Sequence, residues 1–298
     1  MQTPTLATSA SRLDPGGAEA AAADAYCARL TRRHDENFPV ASLLVPRQLR
    51  PAVRAFYAFA RTADDFADEP EHEGKRLPLL DAWERMLRGA FEGRAEHPVF
   101  VALRQAVDRH GLPLAPFLDL LAAFRMDVTK ASYADFAELR DYCRLSADPV
   151  GRLMLHLFGD RRPELRPLSD SLCTGLQLAN HWQDVREDRR RGRIYIPLEA
   201  MRRHGVSEAD LDAPAAGPPF AALMAELVAH ARSFFDAARP LPRMAGGRFG
   251  WQLRLTWLGG MRILERLDRH GYDVFAERPT LSASDVPPLL WRAVEWRA

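Results

Sequence analysis

From Ala18 to the C-terminus the chain repeats its apolar residues at helical spacing, while the alternation that marks a half-buried strand is nearly absent. That pattern limits it to helix-on-helix architectures. Helices are predicted near 18–33, 46–68, 76–92, 97–110, 114–126, 134–146, 149–158, 164–190, 220–238, 247–269 and 284–296, most of them separated by Gly or Pro. Ile194-Tyr195-Ile196-Pro197 is placed in a loop, as is the Pro-rich run from Asp212 to Pro219. Residues 1–17 lack periodicity and read as a disordered leader, leaving 18–298 as one folded domain. With 298 residues, 47% of them apolar, such a chain can bury a large core. The expected fold is all-α, a single-domain helical bundle.

Bulk properties exclude several function classes. A formal net charge of +1 gives no global reason to bind nucleic acid. Cys27, Cys143 and Cys173 are widely spaced and form no CxxC, so neither a disulfide framework nor a zinc site is predicted, and a reducing, cytoplasmic setting is expected. No run of 18 apolar residues offers a membrane span, and Asp14, Glu19 and Asp24 stand where a signal peptide needs a basic and then an apolar region.

Two acidic clusters, Asp64-Asp65-Phe66-Ala67-Asp68 and Asp184-Val185-Arg186-Glu187-Asp188, sit in sequence that otherwise reads as buried helix. Carboxylates four residues apart share a helix face and repel by about 0.2–0.5 kcal/mol per pair, so the arrangement calls for a cation. On a helical projection Tyr57, Arg61, Asp64, Asp65 and Asp68 form one stripe, with Phe56, Phe59 and Phe66 mostly off it. Gln177, Asn180, Asp184 and Asp188 form a second polar line, flanked by Leu172, Leu176 and Leu178. Burying Gln177 and Asn180 without partners would cost about 1–3 kcal/mol each, which places them in a polar cleft. Carboxylate oxygens with no His or Cys among them suit Mg²⁺, which takes one or two carboxylates and completes its shell with water and phosphate oxygens. The chemistry expected of such a cleft is departure of diphosphate, with an aromatic cavity to hold the carbocation left behind. His34 and His181 are candidate bases, against the commoner role of a helix histidine as a structural residue. Within Arg189-Arg190-Arg191-Gly192-Arg193, bidentate contact with phosphate competes with a solvated helix end.

With those residues assembled, the chain resembles the squalene/phytoene synthase family over nearly its whole length after the leader. The resemblance is carried by Tyr57 to Arg61 leading into Asp64-Asp65-x-x-Asp68, by Tyr142-Cys143 running to Pro149-Val150-Gly151, and by Gln177-Leu178-x-Asn180-x-x-x-Asp184-Val185-x-Glu187-Asp188 followed by Gly192-Arg193-x-Tyr195-x-Pro197. It implies an isoprenoid synthase helical bundle with a central cavity between two Asp-rich helices. Mg²⁺ would be held by Asp64, Asp68, Asn180, Asp184 and Asp188, with Asp65 beside them, and diphosphate would be met by Arg61 and Arg193. Tyr57, Tyr142, Gln177 and Tyr195 would line the reacting cavity, and Phe38 would join the substrate contacts.

Departures from the family pattern narrow the reaction. Condensing members are similar to one another in a His-Ser-x-Ser-Phe segment that helps bind diphosphate, where this chain has His34-Asp35-Glu36-Asn37-Phe38. A carboxylate 4 Å from a phosphate charge is repelled by about 4 kcal/mol at an effective dielectric of about 20. Gln183 stands where an Arg is common, which reads as one positive charge fewer. The segment Glu36-Asn37-Phe38-Pro39-Val40-Ala41-Ser42 and Gln183 are similar to the hydroxysqualene synthase branch, which serves bacterial hopanoid pathways. Presqualene diphosphate is then the expected substrate, ionised, rearranged and quenched by water without NADPH. The alternatives are a condensing squalene, presqualene diphosphate or phytoene synthase, a non-catalytic helical partner subunit, and a terpene cyclase. The apolar C30 product implies transient contact with the inner membrane, and other enzymes of the pathway are the expected protein partners.

Overall fold

The computed structural model describes residues 15–33 and 44–296 of the chain. The segment from His34 to Ser42, with Asp35, Glu36 and Phe38, lies outside the described residues, as does most of the expected leader. α1 (Pro15–Arg33) opens inside the stretch read as leader, with Pro15 at a first helical position that lacks no hydrogen bond by losing its N–H. The helices α2 (Arg50–Asp68), α3 (Arg76–Phe91), α4 (Pro98–His110) and α5 (Ala115–Thr129) follow. Next come α6 (Phe136–Ser146), α7 (Asp148–Leu157), α8 (Leu165–Gln183), α9 (Val185–Arg190) and α10 (Leu198–His204). α11 (Pro218–Ala238), α12 (Leu241–Ala245), α13 (Gly247–Arg269) and α14 (Val286–Val294) complete the order. Among the described residues no strand forms, and the loop predicted at Ile194–Pro197 is pinned by an isolated parallel bridge between Ser132 and Ile194.

Local signals explain most boundaries. Pro98 opens α4 behind His97, whose Nδ1 accepts the Val99 N–H, and Gly111 closes it at φ +64°. Asp135 caps α6 by accepting the Glu138 N–H at 2.9 Å. The helix expected to run unbroken over 164–190 is interrupted at Asp184 (φ −105°, ψ 14°), which ends α8 and precedes α9. The hydrogen bonds from the Asp184 N–H to the Asn180 carbonyl and from the Asp188 N–H to the Asp184 carbonyl, both 2.9 Å, carry the helical register across the break. The polar line therefore survives as two short pieces in register.

Two apolar clusters flank the region that carries the stripes. The N-terminal one backs α2 with aromatic rings: Phe59 lies 5.4 Å from Phe117 and 6.1 Å from Trp83, and the Trp83 indole donates to the Phe59 carbonyl at 3.2 Å. The C-terminal one is built around α8, against which α7, α11 and α13 all pack. A Cβ at Gly151 would come within 2.3 Å of the Ser169 hydroxyl and 2.6 Å of the Cys173 sulfur, so glycine sets how closely α7 approaches α8. Asp148 is fully buried and satisfied there, accepting from Thr174 Oγ1 and Arg140 Nη2 at 2.9 Å each. α2 and α8 are thereby packed on their apolar sides, and Asp68 of the first stripe lies close enough to Asp188 of the second to act on its charge.

Candidate active site

The first stripe carries its own counter-charge. On α2, Arg61 reaches Asp64 at 3.1 Å and Asp65 at 2.6 Å. Burial works against the Arg61 charge, and the two carboxylates hold it protonated all the same. Tyr57, half-buried, stands one turn earlier. Asp64 keeps 37% of its side-chain surface accessible, so water reaches one side of a carboxyl that protein atoms otherwise surround. Desolvation and then the neighbouring Asp68 push it up to about 7.

Asp68, at the end of α2, crosses to the segment after α9. It takes an ion pair from Arg193 and a second, at 2.9 Å, from Arg191. Gly192 between them has φ +76°, and this left-handed turn lets alternate arginines converge on one carboxylate. Burial opposes the charge of Arg193, and Asp68 outweighs it, so the guanidinium stays protonated. Arg189 and Arg190 take the other reading of the cluster: Arg189 pairs with Asp212 and Glu208 at 2.9 Å, and Arg190 is exposed.

On the second stripe Asp188 is pushed up to about 8 by burial and then by Asp184, with Asp68 adding to the effect across the cleft. Asp184 is clamped by both Nε and Nη2 of Arg278. Asn180 is exposed and Gln177 is partly buried, as a cleft position requires. Gln177 Nε2 lies 3.4 Å from His181 Nε2. His181 is buried, stacked on Tyr195 at 3.8 Å, and desolvation lowers it to about 3, which makes it a neutral wall of the site and a poor base. A small cavity is lined by His181, Asp188, Arg193, Tyr195 and Ile196.

Asp127, on α5, was not anticipated. It accepts the Tyr195 hydroxyl at 2.7 Å and the Tyr142 hydroxyl at 2.9 Å, while Arg193 Nε donates to its main-chain carbonyl at 3.1 Å. Burial raises its carboxyl to about 6 against the pull of Arg193. Burial and then Asp127 push both tyrosines upward, so their hydroxyls stay protonated donors. Two tyrosines from distant motifs thus share one carboxylate, and Arg193 meets the same residue at its main-chain carbonyl; the only sequence signal is an acid within the apolar run from Phe117 to Val128. Arg278, in an irregular segment, gave no local signal.

Gln183 has a structural partner besides. It is buried and donates to the Pro279 carbonyl. The side chain fastens the segment that carries Arg278 beside Asp184, so the charge absent at position 183 enters from the far end of the chain.

A model of the squalene/phytoene synthase family matches residues 31–285. The chain belongs to that family. The synthase is 42% identical over 247 residues to the hydroxysqualene synthase of Rhodopseudomonas palustris, an alignment spanning 82% of each chain. It is 32% identical over 278 residues to the 15-cis-phytoene synthase of Synechococcus elongatus, covering 89% of this chain and 90% of that one. Among solved structures, squalene synthase HpnC from Alicyclobacillus acidocaldarius superposes with a TM-score of 0.80 at 44% identity, covering 86% of this chain and 96% of that one.

The donors fit the divalent cation expected of such a synthase. Among the described residues no three metal-binding side chains converge into a closed cage, and Mg²⁺ needs none, since it completes its shell with water and phosphate oxygens. Asp64 and Asp188 are displaced upward first by burial and then by the neighbouring carboxylates Asp68 and Asp184, and a bound cation would offset the second of these effects.

Proposed function

We propose that the synthase is a hydroxysqualene synthase: it ionises presqualene diphosphate, rearranges the cyclopropylcarbinyl cation and captures it with water. The carbon–oxygen bond breaks with its electron pair leaving on diphosphate, and the added water loses a proton to give the alcohol. The observation that carries the reading is the pair of facing acidic stripes joined through Asp68, Arg191 and Arg193, in a chain with greater identity to a hydroxysqualene synthase than to a phytoene synthase. Mg²⁺ held by Asp64, Asp68, Asn180, Asp184 and Asp188, with Asp65 beside them, would supply Lewis-acid stabilisation of the leaving diphosphate.

The chain's own residues do the rest. Arg191 and Arg193, turned inward by Gly192, present guanidinium donors to diphosphate oxygens, and Arg61 adds a third. Asp127 orients Arg193 and the two tyrosines. The stacked faces of Tyr133, Tyr195 and His181 offer π density to a cation and exclude bulk water from it. Asp35 and Glu36 support a site for fewer diphosphates than a condensing enzyme needs, and the ionisation and quench require no reductant.

Purified protein supplied with presqualene diphosphate and Mg²⁺, without NADPH, is expected to release a C30 alcohol. Failure there, together with presqualene diphosphate formation from farnesyl diphosphate, would transfer the assignment to the condensing step. That second reading is favoured by one observation, the description of the 44% identical solved structure as a squalene synthase. An apolar product also supports a cytoplasmic enzyme that works at the inner membrane surface alongside the next enzymes of its pathway.

A further inference from the structure

α14 is apolar on both sides. Its inner side contributes Ala293, fully buried, with Leu289 and the following Trp296 packed against the core. Its outer side carries Pro287, Pro288, Leu290, Trp291 and Val294, all exposed, with Trp291 and Val294 at 64%. Its one charged side chain, Arg292, is tied to Glu265 at 2.9 Å, and an apolar helix face is ordinarily covered. The bare side extends beyond α14, because Arg254 lies 5.0 Å from the centroid of the Trp251 ring and also donates to the Ala293 carbonyl at 3.1 Å. Trp251 and Met244, both exposed, continue it. Of the large apolar side chains exposed among the described residues, all but Leu77 and Met86 fall between Met244 and Val294. Such clustering marks an interaction surface, whereas single exposed residues need no explanation.

The charges at its edge are mostly positive. Arg243 and Arg248 are exposed beside Met244 and Trp251, and neither forms an ion pair among the described residues. Arg162 donates to the Met244 carbonyl at 2.8 Å, which brings the exposed Arg161 to the same side. Nearby acids are mostly engaged: Asp160 pairs with Arg162, and Glu265 pairs with Arg262 and Arg292. Glu164, beside Arg162, and Glu295 are the exposed exceptions.

We propose that Trp251, Leu290, Trp291 and Val294, rimmed by Arg161, Arg243 and Arg248, form a docking face for an anionic lipid bilayer. Indole rings favour the headgroup level, apolar side chains reach the acyl boundary, and arginines meet anionic headgroups. No described helix is long and apolar enough to cross a membrane, so the contact lies in the interfacial plane. A second copy of the chain fits this face less well, because a two-fold pairing would set the same arginine rim against itself. The proposal rests on the hydroxysqualene reading only for its purpose, delivery of an apolar C30 product into the bilayer.

The full chain should cosediment with vesicles of phosphatidylcholine and phosphatidylglycerol in equal amounts, and at least about 10-fold more weakly with phosphatidylcholine alone. The double variant Leu290→Glu, Trp291→Glu should lose vesicle binding, and the double variant Arg243→Glu, Arg248→Glu should lower it about 10-fold and flatten its salt dependence. Both should keep the circular dichroism and the turnover of detergent-dispersed substrate, which separates this proposal from the functional assignment. Absence of vesicle binding, or binding unchanged in the Leu290→Glu, Trp291→Glu variant, overturns the proposal. So does a dimer in sedimentation that this variant dissociates, which would give the face to a second copy.

Discussion

On α2, Arg61 stands one turn before the carboxylates it neutralises, 3.1 Å from Asp64 and 2.6 Å from Asp65, whereas Asp184 on the second stripe is met by Arg278, 94 residues further along the chain. The first arrangement is local, and helical spacing alone brings its partners together. The second needs the C-terminal segment to fold back, the helix to break at Asp184, and Gly192 to turn Arg191 and Arg193 toward Asp68. Similar acidic motifs therefore differ in what holds them: one is fixed by secondary structure, the other by tertiary structure.

Alanine substitution tests whether both stripes bear on the chemistry. Asp68→Ala and Asp184→Ala should each lower kcat by about 10²–10³-fold if each supports the departing diphosphate; near-normal turnover of either would break the symmetry between the stripes. Asp127→Ala comes next, with an expected loss of about 10–10²-fold in kcat/KM, because Tyr142 and Tyr195 lose their shared acceptor. A melting profile should accompany it, since leaving two buried hydroxyls unsatisfied costs about 1–3 kcal/mol each.

Gln183→Leu sharpens the contrast further. Removing the donor to the Pro279 carbonyl should cost about 1–3 kcal/mol in chemical denaturation and lower turnover through Arg278, and Arg278→Ala should reproduce the loss of turnover with less loss of stability. A selective effect on α2 would contradict the long-range support of the second stripe. A further test is the dependence on pH. Asp64 and Asp188 titrate near 7 and 8 in the folded protein, against about 4 unfolded. The folded state then binds more protons than the unfolded state across that window, so metal-free protein should lose stability as pH rises from about 4 to about 8 and level off above. Mg²⁺ should oppose the loss increasingly over the same range, and chelation should restore it. Thermal melts at several pH values, with and without Mg²⁺, give the slope; a slope of opposite sign would show that these two groups do not govern it.

Much of the fold was legible because apolar periodicity and Gly or Pro punctuation are local signals: the 247–269 helix was read to its ends, and most others to within a few residues. The break at Asp184 was not, since no Gly or Pro marks it and the i to i−4 bonds continue across it. α10 and α12, of 7 and 5 residues, are too short for periodicity to register. In the site, spacing placed Gln177, Asn180, Asp184 and Asp188 on one line and Asp64 and Asp68 on another, but could not supply partners distant in sequence. Asp127 belongs to no motif, and Gln183, which stands for one positive charge fewer, also ties α8 to the loop at Pro279.

The bond from Gln183 to the Pro279 carbonyl also bears on the order of synthesis. Chains fold from the N-terminus as they emerge from the ribosome, so both acidic stripes emerge well before Arg278 has been translated. The nascent protein carries Asp184 without this partner until the segment around Pro279 docks. Arg278 therefore completes the electrostatic balance of a centre whose acids were made much earlier, and a ribosome that stops short of residue 278 leaves a helical body without it.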